Sequence, residues 1–302
     1  MKKNILLVTT VILIFLCSCT KNYSKISNKI DYFLSEKEDA VSFLEKIIEE
    51  KKIILIGTND HSTINDTLFL NYETLCKLYK KGLRYVLLEG GLPNKSLYNE
   101  EDLINKNVML FYPWESVGVQ YIENSIIDNV LNINKSIAKE DPIKLIGLEG
   151  GRENFAISDQ DENKINNYRD KYMYQNALHY INNSNKNEKV LINCGAAHGC
   201  KNIIKEINQY DGTKYDWYTL GYHLYNKFQN DFISISFVSL DSYVNDSIYY
   251  KSIVNSNWSN NLLQTKVINP NEAKEINKYI YCLSDIYKSF DNFFIVKNLC
   301  YR

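Results

Sequence analysis

Four short apolar runs divide the chain into alternating segments, and this alternation constrains the fold more than any other feature of the sequence. The runs cover residues 53–56, 85–88, 144–148 and 190–194. Each has the length and the near-continuous apolar character of a strand that is buried on both sides. Segments with apolar residues at helical spacing lie between them. Strands that alternate with helices predict an α/β fold, with a largely parallel central sheet and helices on both faces.

The remaining elements follow from periodicity and from helix-capping residues. Helices are predicted at residues 36–51, 66–81, 116–139, 162–183, 199–210 and 272–287. Ser35 is expected to cap the first helix, and Gly82 to end the second. Later strands are predicted at residues 217–224, 232–240 and 293–296. We find no domain boundary, so we predict a single domain over residues 37–302, with an insertion at about 92–114.

The amino-terminal segment has the pattern of a targeting signal. Lys2 and Lys3 precede an apolar run at residues 5–16, which is too short to span a bilayer comfortably. The sequence Leu16-Cys17-Ser18-Cys19 resembles a bacterial lipobox, which implies cleavage before Cys19 and attachment of lipid to its thiol. We therefore expect a signal peptide over residues 1–18, a tether over 19–36, and a lipid-anchored protein at the membrane of the cell envelope, outside the cytoplasm.

The net charge limits the expected binding partners, and the number of cysteines limits the possible disulfides. The net charge is -1 and no basic stripe is present, so nucleic acid is not an expected partner. An odd number of cysteines follows Cys19, so they cannot all pair within the chain. Cys194 and Cys200 could form a disulfide, a redox pair or two buried thiols. Buried thiols are the favoured interpretation, because a free cysteine behaves as a small hydrophobic residue.

Polar residues follow the apolar runs at the points where the strands are predicted to end. His61, Glu89, Glu149 and His198 all lie in such positions. Ligands of open α/β sheets bind outside the carboxyl ends of the strands, so these side chains are predicted to face one crevice. They could bind a divalent metal, or form an acid–base pair that activates water. They could also serve separate capping and hydrogen-bonding roles in loops.

Several motifs occur in a characteristic order. An apolar strand with a glycine leads to His61, and a second strand ends at Glu89, 28 residues later. The segment Arg169-Asp170-Lys171-Tyr172-Met173-Tyr174-Gln175-Asn176 follows, and then a strand that leads to His198. Together these motifs resemble the erythromycin-esterase-like and ChaN-like (haem-uptake, Tiki) superfamily over residues 51–302.

The resemblance implies roles for individual residues. His61 would be the general base, and Glu89 and His198 would complete the site. Arg169 would orient a carboxylate or an anionic intermediate, and Asn176 would face the same cleft. The alternative for Arg169 and its neighbour in sequence is an ordinary charge pair on a helix surface.

Two departures from the family pattern affect the expected chemistry. The family glutamate just after the glycine is Thr58 here, and a further family histidine is replaced by Gly195. Asp60 or Glu149 could substitute for the missing groups. Hydrolysis of a macrolide ester as such is therefore not expected. His179 and His223 are expected to be structural, His223 within a strand.

Three functions remain open. In the first, a membrane-anchored hydrolase acts on a small ester, lactone or peptide: His61 takes a proton from water, while His198 and Arg169 stabilise the developing negative charge. His61, Glu89 and His198 could hold a divalent metal in this case. In the second, the ChaN-like resemblance implies a surface lipoprotein that binds haem or another small ligand without catalysis. In the third, the fold serves interaction only.

Overall fold

Helices and strands alternate along the chain around a central sheet. The structure, a computed structural model, describes residues 37–58, 70–89, 117–137, 141–149, 165–208, 213–239, 266–272, 274 and 289–296. The helices are α1 (Ala40–Glu50), α2 (Tyr72–Lys80), α3 (Val117–Ser136), α4 (Ile165–Asn183), α5 (Ala196–Gly199) and α6 (Leu220–Phe228). The strands are β1 (Ile53–Thr58), β2 (Leu83–Leu88), β3 (Lys144–Gly147), β4 (Lys189–Gly195), β5 (Ile204–Asn208), β6 (Lys214–Trp217), β7 (Phe232–Ser239), β8 (Lys266–Ile268) and β9 (Asn292–Val296).

The central sheet is largely parallel, as the sequence predicts. Within the described residues it has seven strands in the order β3-β2-β4-β1-β7-β9-β8. Neighbouring strands pair in parallel except at the edge, where β8 pairs antiparallel with β9. Strands β5 and β6 form a separate antiparallel ribbon. The polar residues that follow β1, β2, β3 and β4 therefore start from the same edge of the sheet.

Helices cover both faces of the sheet, which explains why the strands are apolar along their whole length. All six residues of β1 are buried. Ile54 and Ile56 point to one face, where they pack with residues of α1, α2 and α3. Ile53 and Leu55 point to the other face, where they pack with residues of α4 and α6. The predicted fold class is confirmed.

The first two helices begin later than the sequence pattern predicts. Asp39, and not Ser35, caps α1, because its side chain accepts hydrogen bonds from the backbone N–H groups of Val41 and Ser42. Helix α2 begins at Tyr72 and is capped by Asn71, so the predicted start near residue 66 is wrong. Gly82 ends the second helical segment as predicted, with a positive φ of 101° that favours glycine.

Two predicted elements have the wrong type. The helix predicted at 199–210 is wrong, because helix α5 ends at Gly199 and the chain enters strand β5 at Ile204. Residues 217–224 do not form one strand, because Thr219 caps α6. Leu220 and Leu224 are both buried and lie four residues apart, which is helical spacing. The many aromatic residues of this segment hid that spacing, since aromatic residues are also enriched in strands.

Several predictions concern parts of the chain outside the described residues. They include the signal peptide and Cys19, the tether, the insertion at 92–114 and most of the helix predicted at 272–287. Among the helices of the described residues, none combines the length and the apolar character needed to cross a bilayer.

The backbones of helices α5 and α6 are in direct contact, and glycine makes this close approach possible. A Cβ atom on Gly221 would lie 2.3 Å from the carbonyl oxygen of Gly199, which is too close for any real contact. We expect Gly221→Ala to lower the free energy of unfolding by about 1–3 kcal/mol or more, as overpacking does elsewhere. Urea denaturation measures this change. Lys227→Ala, on the exposed side of α6, is the control and should change stability by less than about 0.5 kcal/mol.

Candidate functional site

Buried charged side chains from several elements meet at the carboxyl edge of the sheet. Glu89 directly follows β2, Glu149 follows β3, and His198 lies on α5 just after β4. They expose only 7%, 6% and 5% of their surface. Burial of charges at this level requires partners, because taking an ion out of water costs several kcal/mol. Helix α4 supplies those partners with Arg169 and Asp170.

Glu89 is the central acceptor of the site. The backbone N–H of Gly195 donates to Oε2 at 2.6 Å, and Nη2 of Arg169 donates to Oε1 at 3.2 Å. Nε2 of His198 lies 3.4 Å from the same Oε1. One carboxylate thus joins the end of β4, helix α4 and helix α5.

Arg169 links the two glutamates predicted from the sequence. Its Nε donates to Oε1 of Glu149 at 2.5 Å, and its Nη2 donates to Oε2 of Glu149 at 3.0 Å. Such a two-point contact fixes the orientation of both groups. The same Nη2 reaches Glu89, so the guanidinium bridges the ends of β2 and β3. The interpretation of Arg169 and Asp170 as a surface pair is wrong, because Asp170 has no exposed surface.

Asp170 was not identified as a site residue from the sequence. Nδ1 of His198 forms a hydrogen bond with this carboxylate, at 2.9 Å from Oδ1 and 3.0 Å from Oδ2. The indole N–H of Trp217 donates to Oδ2 at 2.6 Å, and the backbone N–H of Leu220 donates to Oδ1 at 2.6 Å. The available signal was its position beside Arg169 in the family-like motif. Trp217 gave no signal, because it is the first residue of a segment, 217–224, that is predicted to be a strand.

The carboxylates keep His198 positively charged. Burial by itself would lower the pKa of His198, but the charges of Asp170 and Glu89 and their hydrogen bonds outweigh it and raise the pKa to about 10. At neutral pH both ring nitrogens therefore carry protons, and the ring donates on both sides. In this form the ring can donate a proton or stabilise an anion. It can act as a base or a metal ligand only after losing a proton.

The metal prediction stays a prediction. Within the part of the chain that the structure describes, no group of three or more His, Cys, Asp or Glu side chains is arranged to hold a metal ion. The predicted set of His61, Glu89 and His198 includes His61, which lies outside the described residues, as does Asp60.

Other predicted residues surround the site. Thr58, in place of the family glutamate, is buried and donates its hydroxyl to the carbonyl of Cys194 at 3.3 Å. Asn176 donates its amide to the carbonyl of Leu148 at 2.7 Å, so it supports the chain just before Glu149.

Two cysteines and two histidines of the described residues have the following environments. Cys194 and Cys200 are free and buried, as predicted, and burial raises the pKa of the Cys200 thiol to about 12. His223 lies on α6 and not on a strand. Its ring stacks on the ring of Tyr174, with the ring centroids 5.2 Å apart. His179 lies on α4 and is exposed.

Comparison with known proteins shows similarity in fold. No protein-family model matches the chain, and no curated protein sequence is significantly similar to it. A Bacillus cereus protein of known structure shares 11% identity with a TM-score of 0.58, over 90% of this chain and 97% of that chain. A succinoglycan biosynthesis protein shares 12% identity with a TM-score of 0.55, over 92% of this chain and 97% of that chain.

Bacterial toxins also match, over part of their length. RRSP, a MARTX toxin effector domain from Vibrio vulnificus, shares 17% identity with a TM-score of 0.44, over 74% of this chain and 39% of that chain. Other bacterial protein toxins match with a TM-score of 0.41, and this chain spans about two fifths of their length. The fold is shared with the Bacillus cereus protein and the succinoglycan biosynthesis protein, whose TM-scores exceed 0.5 although they have little sequence in common with this chain.

Proposed function

We propose that this chain is a hydrolase of the erythromycin-esterase-like and ChaN-like kind, which acts on a small ester, lactone or peptide. One observation carries the proposal: a positively charged His198 is held between Asp170 and Glu89, beside Arg169, at the carboxyl edge of the sheet. Buried ionisable groups with a strongly shifted pKa are enriched at functional sites.

The arrangement suits a reaction that develops negative charge. Hydrolysis of an ester or amide places negative charge on the carbonyl oxygen in the transition state. His198 and Arg169 are cations that the carboxylates hold in fixed positions at the edge of the sheet, where they can stabilise that charge. The imidazolium can also give its proton to the leaving group. For Arg169, a position beside an anionic intermediate is the role that the resemblance implies.

The base that activates water must be another group. His198 is protonated at neutral pH, and the Glu89 carboxylate already accepts several hydrogen bonds. We assign this role to His61, in keeping with the resemblance. His61 follows Thr58, the last residue of β1, by three positions, and three residues of chain span at most about 11 Å. The length of the chain therefore allows His61 to reach the carboxyl edge of the sheet.

A panel of esters, lactones and peptides tests the proposal with matched histidine variants. We expect the wild type to turn over at least one substrate class, and His198→Gln to reduce kcat by about 100-fold or more, as loss of one oxyanion donor does in other hydrolases. His179→Gln changes an exposed histidine on α4 and should keep full activity.

Two outcomes would argue against a hydrolase. If the wild type turns over nothing in the panel, or if His198→Gln is as active as the wild type, this site is not hydrolytic. A saturable change in the Soret band on titration with haemin, without turnover, would instead support the haem-binding function.

We also propose that the protein is held at the membrane of the cell envelope by lipid on Cys19. The lipobox-like sequence at residues 16–19 supports this location.

A further inference from the structure

We infer that Trp217 is a positioning residue of this site, which holds Asp170, and through it His198, in a fixed orientation. A catalytic role for this positioning rests on the proposed function. The contacts themselves are present in the protein without substrate. No residue of the ribbon formed by β5 and β6 was expected to take part in the site.

Trp217 contacts both members of the buried pair. Its indole N–H donates to Oδ2 of Asp170 at 2.6 Å. A hydrogen bond to an ionised group is shorter and stronger than one between neutral groups. Its ring also meets the ring of His198 edge to face, with centroids 5.3 Å apart and planes at 85°. One side chain therefore limits both the rotation of the carboxylate and the tilt of the imidazolium.

The ribbon that carries Trp217 is fixed to the helix that carries Asp170. Asn166 of α4 donates its amide to the hydroxyl of Tyr215 at 2.9 Å. Asn167 donates to the carbonyl of Asp216 at 3.0 Å and accepts from the backbone N–H of Tyr218 at 2.7 Å. Contacts to α4 thus lie on both sides of Trp217 in the sequence, so the backbone that carries the indole cannot move away from α4 without breaking them.

A simple space-filling role does not explain this residue. Trp217 is only partly buried, and it belongs to neither of the hydrophobic clusters that the described residues form on the two faces of the sheet. Its polar atom, by contrast, is directed at a carboxylate with no exposed surface. Indole N–H groups generally find such a partner when they are buried, and here the partner is a site residue.

Proton NMR of the full-length protein tests the inference without any activity measurement. A proton held between a buried carboxylate and Nδ1 of an imidazolium should give a far-downfield signal that exchanges slowly with solvent. His198→Gln assigns that signal by removing it. We expect Trp217→Phe, which keeps an aromatic ring but lacks the N–H, to lose the signal through exchange while the protein remains folded.

Two further variants keep the test decisive. In Trp217→His an imidazole N–H can take the position of the indole N–H, and the signal should return. Tyr218→Phe changes the neighbouring exposed ring and should leave the signal unchanged. If Trp217→Phe does not fold, the test rests on Trp217→His: a retained signal supports the inference, and a lost signal contradicts it.

The outcomes separate this inference from the proposed function. A folded Trp217→Phe with an unchanged signal would overturn the positioning role, and so would a wild type that shows no protected signal. Neither result bears on whether the protein hydrolyses a substrate. Conversely, failure of the ester, lactone and peptide panel would leave the positioning of Asp170 and His198 untouched.

Discussion

Replacing Asp170 with asparagine is expected to lower the free energy of unfolding by about 3–5 kcal/mol, because the buried charge of His198 loses the closer of its two carboxylate partners. Both carboxylate oxygens accept hydrogen bonds. Oδ1 accepts from the backbone N–H of Leu220, Oδ2 accepts from the indole N–H of Trp217, and both face Nδ1 of His198. An asparagine has one acceptor oxygen and one NH₂ group. In either orientation its NH₂ therefore faces another donor.

Urea denaturation at neutral pH measures this effect. Asp216→Asn is the matched control, since it makes the same chemical change at an exposed position on the ribbon. It should change the free energy of unfolding by less than about 0.5 kcal/mol. Equal effects of the two variants would show that the Asp170 carboxylate does not stabilise the fold through His198. If the variant is folded at low urea concentration, its hydrolytic activity should also be lost, because His198 loses its main counter-charge.

Stability is expected to fall by about 3 kcal/mol as pH rises from 6.5 to 9, at 1.36 kcal/mol for each unit of pKa difference. Unfolded His198 loses its proton near pH 6.5, whereas folded His198 keeps it until about pH 10. The stabilising contribution of the charged ring is therefore complete below pH 6.5. It is lost progressively as pH rises toward 10.

Among the described residues, this pH window separates His198 from the two buried cysteines and from His223, whose pKa values are also shifted. Above pH 9 the buried Cys194 and Cys200, whose pKa values are raised by burial, add a slope of the same sign. His223, whose pKa is lowered by burial, acts below the window. Urea unfolding at several pH values should show a steep fall for the wild type and for His179→Gln, and a nearly flat line for His198→Gln. Parallel lines for all three proteins would contradict a raised pKa at His198.

The sheet could be predicted from the sequence because its strands are buried on both faces. Such strands are almost continuously apolar, as β1 and β4 are, and this signal is independent of tertiary context. The elements that were missed depend on that context. Strand β8 has only three residues, too few for a pattern. Helix α6 contains aromatic residues whose strand preference competes with the helical spacing of its leucines.

The site residues at the ends of the strands could be predicted from the sequence. Glu89, Glu149 and His198 lie within three residues of the carboxyl ends of their strands, so the rule for carboxyl ends places them together. Asp170 is different, because neighbouring residues of a helix lie about 100° apart and usually have different environments. Its burial depends on the packing of α4 against α6 and the ribbon, which no local pattern encodes.

The carboxylate of Glu89 joins segments that are far apart in the chain, and this has a consequence for folding kinetics. Gly195 and Glu89 are 106 positions apart, and Arg169 and Glu89 are 80 positions apart. Contacts between distant segments form late, because loop closure must come first. We expect the charged cluster to be absent from the folding transition state. Its stabilising free energy should therefore slow unfolding and leave the folding rate unchanged. Once folded, the protein should then persist through a high barrier to opening, which is the property that limits attack by proteases when cleavage outpaces reclosing.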